Sequence, residues 1–66
     1  MSKEIDKPKC KLVGTDGNIF ALIGVASQAL KRAGLREEAK EMQEKVIQQE
    51  SYDMALAVIC NYVDAY

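Results

Sequence analysis

The sequence predicts a mainly α-helical fold, a short N-terminal β-strand followed by a three-helix bundle, and three observations predict it. Apolar residues recur at spacings of three and four through three successive segments, residues 19–33, 35–46 and 52–66. Turn and cap residues punctuate those segments at Gly14–Asn18, Gly34 and Ser51. Ahead of the first segment, Lys9 to Val13 alternates instead, with Cys10 and Leu12 on one side and Lys9 and Lys11 on the other, which is the period of a strand with one wet face.

Residues 1–8 are polar and charged around Ile5 and read as a loose tail, leaving residues 9–66 as a single domain. The run Gly14, Thr15, Asp16, Gly17, Asn18 is a dense turn signal, because glycine supplies positive φ and Asp or Asn side chains fold back on nearby amides. Asp16 or Asn18 then stands as the N-cap of a first helix carrying Ile19, Phe20, Leu22, Ile23, Ala26, Ala29, Leu30 and Ala33. Lys31 and Arg32 give it a basic last turn and Gly34 its stop.

A second helix, about Arg36 to Gln49, has a narrow stripe of Leu35, Ala39, Met42 and Val46. Its charged remainder, including the Glu41 and Lys45 pair, reads as a solvated face. Ser51 caps a third helix whose stripe is Tyr52, Ala55, Leu56, Ile59, Val63 and Tyr66, with Met54, Val58, Cys60 and Tyr62 widening it. Leu12, Phe20, Leu30, Met42, Leu56, Ile59 and Val63 are the expected core.

A chain of 66 residues buries a small fraction of its surface. The lone strand and the widely apolar third helix both ask for more surface than one copy offers, so a homodimer is expected, with Tyr52, Leu56, Ile59, Tyr62, Val63 and Tyr66 as its interface.

Composition narrows the chemistry. Histidine is absent and the cysteines are Cys10 and Cys60 alone, so a four-ligand zinc site cannot form in one chain and no metal or other cofactor is expected. The cysteines read as buried free thiols rather than a bridge, and without a signal segment or an apolar run long enough for a bilayer the expected compartment is the cytoplasm, away from membranes. No basic face of the kind nucleic-acid binders carry is present. Catalysis is not expected either: a nucleophile has no histidine base, and the carboxylate pairs Glu37 with Glu41 and Glu41 with Glu44 sit on the wet side of the second helix.

The favoured reading is therefore a non-enzymatic interaction module. The alternative is a binder of a small anionic ligand such as a nucleotide, held by Gly14, Thr15, Gly17 and Asn18 at a helix start, with Lys11, Lys31 and Arg32 converging on it. Asp16 opposes an anion there, and the spacing is not that of a P-loop or a dinucleotide fingerprint.

The run from Lys11 to Asn18, then Phe20, Leu22 and Ile23, then Ala29 to Gly34, with Ser51, Tyr52, Asp53, Tyr62 and Asp64, resembles a family of short uncharacterised proteins. Those proteins are encoded by phages, prophages and other mobile elements of Gram-positive bacteria. The resemblance implies a genetic setting that favours accessory roles, such as binding a host protein, antagonising a defence system or sequestering a small signalling molecule, and assigns no functional residue.

Overall fold

The computed structural model describes residues 7–12, 14 and 17–66. In chain order it contains β1 (Lys9–Cys10), α1 (Ile19–Arg32), α2 (Arg36–Ile47), α3 (Tyr52–Tyr62) and β2 (Asp64–Ala65). The tail expected over residues 1–8 falls mostly outside the described residues. Its last two residues are docked: the Lys7 ammonium donates to the Cys60 carbonyl at 3.3 Å, and the Pro8 carbonyl accepts from the Asp64 amide at 2.9 Å.

α1 and α3 begin, and α1 ends, on residues that the backbone chemistry favours. At the head of α1 the Asn18 side chain accepts from the Phe20 amide at 2.8 Å, and at the head of α3 the Ser51 hydroxyl accepts from the Met54 amide at 3.2 Å. α1 ends in a Schellman motif: Leu35 N–H reaches back to the Leu30 carbonyl at 2.8 Å and Gly34 N–H to the Lys31 carbonyl at 3.0 Å. Gly34 makes that turn with φ of 82°, a value an L side chain resists. The motif reverses the chain and lays α2 beside α1, with Leu35 packed on the core.

The three helices bury one cluster in which Leu30, Met42, Ile59 and Val63 are the largest fully buried side chains. The apolar stripe of α2 delivers Ala39, Met42 and Val46 to it, as its spacing requires. Among the described residues Ser27 is the polar side chain buried with them. Its hydroxyl accepts from the Gln43 amide at 2.7 Å, so the α1–α2 seam carries a satisfied hydrogen bond rather than an orphaned group.

Three expectations are corrected. Phe20 is 71% exposed and outside the core, because it lies about 100° around α1 from Ile19, which packs against the core. The third helix stops at Tyr62: Val63 is extended (φ −132°, ψ 156°), and the chain continues as β2, with Tyr66 beyond any helix. The strand, moreover, finds its partner in the same chain. β1 and β2 pair in parallel, Lys9 opposite Asp64 and Cys10 opposite Ala65, and the ladder extends to Leu12 N–H, which donates to the Tyr66 carbonyl at 2.6 Å. A second copy is therefore not required to pair the strand. Strand alternation is as expected, with Cys10 buried and Lys9 and Lys11 exposed; Val13 lies outside the described residues.

Candidate functional site

α3 presents Tyr52, Leu56 and Cys60 at successive steps of four, one stripe along its outer side. The β-ribbon runs alongside and contributes Leu12, Ala65 and Tyr66, and between them lies an open apolar groove of about 340 Å³. Leu22 forms part of its floor and Gly17 part of one end, where a Cβ on the glycine would stand 3.9 Å from the Tyr52 hydroxyl. The tyrosines are about half exposed, Tyr52 at 47% and Tyr66 at 59%. Hydroxyls on these two rings and the Cys60 thiol are the polar side-chain atoms of the lining.

Of the residues expected at an interface, the structure brings Tyr52, Leu56 and Tyr66 together in this groove. Ile59 and Val63 are not available to a partner, since both are fully buried in the chain's own core. They are covered because the stripe of α3 that faces α1 and α2 is offset from the outer one by a quarter turn or so. Tyr62 faces α2 instead. The Lys45 ammonium sits 5.7 Å from its ring centroid and 3.1 Å from Glu41. Hydrogen bonding to Lys45, then to Tyr62, holds the Glu41 carboxyl below the usual carboxylate range, and bonding to Tyr62 and Glu41 raises the Lys45 ammonium.

The residues expected around a ligand loop divide between two places. Gly14 (φ 89°), Gly17 and Asn18 stand at the start of α1, exposed, with Thr15 outside the described residues. Lys31 and Arg32 close the other end of a 14-residue helix, roughly 20 Å away. Arg32 lies with Lys9 and Lys11 around a shallow pocket between β1 and α1. The basic side chains and the loop therefore do not converge within one chain, and one first-turn amide that an anion would use is already taken by Asn18.

The cysteines are both free, as expected, but differ in environment: Cys10 is buried and Cys60 exposed on the rim of the groove. Where the sequence predicts a buried Cys60, the structure has it exposed on the outer stripe of α3, on the side turned away from α1 and α2. Burial pushes the Cys10 thiol up, which suppresses the thiolate that reacts. Titration of the reduced, native protein with an aromatic disulfide reagent is expected to consume one thiol promptly, Cys60, and the second only after denaturant is added. Two fast thiols in the native protein would contradict the packing of Cys10.

Among the described residues no helix is long and apolar enough to cross a membrane. No protein-family model, curated protein or solved structure matches the chain.

Proposed function

We propose that this chain is a non-enzymatic, self-associating interaction module of a phage-like mobile element, and that it binds a host macromolecule through the groove beside α3. The observation that carries the reading is the groove itself: an open apolar channel with an exposed tyrosine on each side, Tyr52 from α3 and Tyr66 from the ribbon. Tyrosine-flanked apolar surface is the composition of protein-docking sites, where rigid rings supply contact area and a hydroxyl for the rim. A small-molecule site needs several convergent polar groups to fix its ligand, and this lining has few. The mobile-element setting implied by the sequence resemblance makes a host protein the natural partner.

The test is site-specific photo-crosslinking in cells of a Gram-positive host. A photoreactive side chain at Leu56 is expected to yield a discrete protein adduct, while the same group at Lys40, exposed on α2, yields none. Equal labelling from both positions, or no adduct from Leu56, overturns the proposal.

A further inference from the structure

A second apolar surface adjoins the groove across Tyr52, at the end of the bundle where α1 begins, α2 ends and α3 begins. Phe20 is 71% exposed there and Ile47 68%, and Ile23 and Tyr52 line the same hollow. One turn along α1 from Phe20 is Gly24, exposed, with nothing within 4 Å of where its Cβ would be. Glycine is the least favourable helix-interior residue after proline, and nothing in the single chain uses its lack of a side chain. A bulky ring left in water and an unexplained notch thus sit on one helix face four residues apart.

We infer that α1 is the self-association surface, two copies crossing antiparallel so that Phe20 of each seats on the partner's Gly24. The occupant is a second copy because knob and notch are carried on the same patch. A two-fold interface uses one surface twice and needs both complements on it, whereas a different protein would need only one of them. Glycine at the crossing lets the helix backbones approach, and Ile47 and Tyr52 close the sides of the contact.

The area agrees with a weak dimer. At about 200 Å² for a large apolar side chain, Phe20, Ile47 and Tyr52 leave roughly 350 Å² in water per chain. Counted on both chains that is roughly 700 Å² of apolar area, the size of a weak, transient contact. This inference rests on the self-associating half of the reading above and not on the groove, which lies on the other side of Tyr52.

Sedimentation velocity between about 10 μM and about 1 mM, the range a contact of this size calls for, tests it. The wild-type mass is expected to rise toward that of two chains. Phe20→Ser and Gly24→Leu are each expected to weaken dimerisation at least about tenfold, roughly the effect of one interface anchor. Gly24→Leu is expected at the same time to raise the melting temperature of the monomer, because it removes a helix-interior glycine; a merely structural role for Gly24 predicts the opposite pairing. Leu56→Ser, in the groove, is expected to leave dimerisation unchanged. A chain that stays monomeric throughout, variants at Phe20 and Gly24 that dimerise like wild type, or a loss confined to Leu56→Ser overturns the inference.

Discussion

Ile59→Asp is expected to leave the chain unfolded in neutral buffer. Ile59 is fully buried at the meeting point of the three helices, so the substitution removes its apolar contacts and asks an ionised carboxylate to take their place. Such changes cost upward of about 4 kcal/mol. At about 0.05–0.15 kcal/mol per residue, a 66-residue domain has only about 3–10 kcal/mol to lose. Ala57→Asp is the matched control: it places the same group on the same helix at an exposed position and is expected to cost less than about 1 kcal/mol. Far-UV circular dichroism with thermal melting distinguishes them. A cooperative melt for Ile59→Asp near that of wild type would mean that α3 does not present this face to the core.

The residues that made the helices legible were those whose physics is local. Asn18 and Ser51 act through amides two or three residues away, and Gly34 through its own φ, so their roles follow from identity and position. The core stripe of α2 was equally legible, because its other faces are charged and leave one orientation. α1 and α3 are apolar over more of their circumference, and there periodicity alone does not say which apolar residues face inward. Periodicity puts Phe20 inside, where the structure has it outside, and it offers Ile59 and Val63 both to the core and to an interface, where the structure has them in the core alone.

The end of α3 was hidden for a related reason. Ile59, Val63 and Tyr66 continue the helical spacing, no glycine or proline interrupts it, and a Val63 in extended conformation still reaches the core. What ends the helix is non-local: the carbonyls of Pro8 and Cys10, more than fifty residues earlier, accept the amides of Asp64 and Tyr66. A pairing of that separation leaves no periodic trace in so short a strand, so in the sequence the strand has no visible partner. The groove is invisible in the sequence for the same reason, since one of its walls is the ribbon.

Asp64→Pro isolates that ribbon, and its expected effect is local rather than global. Proline removes the donor that bonds the Pro8 carbonyl at 2.9 Å and fixes φ near −65°, away from the values of an extended strand. The lost bond and the backbone misfit together cost about 2–3 kcal/mol, which corresponds to roughly a hundredfold greater population of ribbon-open molecules. The helices are expected to survive, because Leu30, Met42 and Ile59 pack between them without the strands. Cys10 reports the opening directly: it is the buried side chain of β1, and exposing it also relieves the burial that raises its thiol. Its reaction rate with a thiol reagent is therefore expected to rise roughly a hundredfold, with helical circular dichroism unchanged. A Cys10 that stays protected would show that α1 shields it without help from β2. Loss of the helical signal along with protection would show instead that two-residue strands hold the bundle together, and the helical core would then be too weak to stand without them.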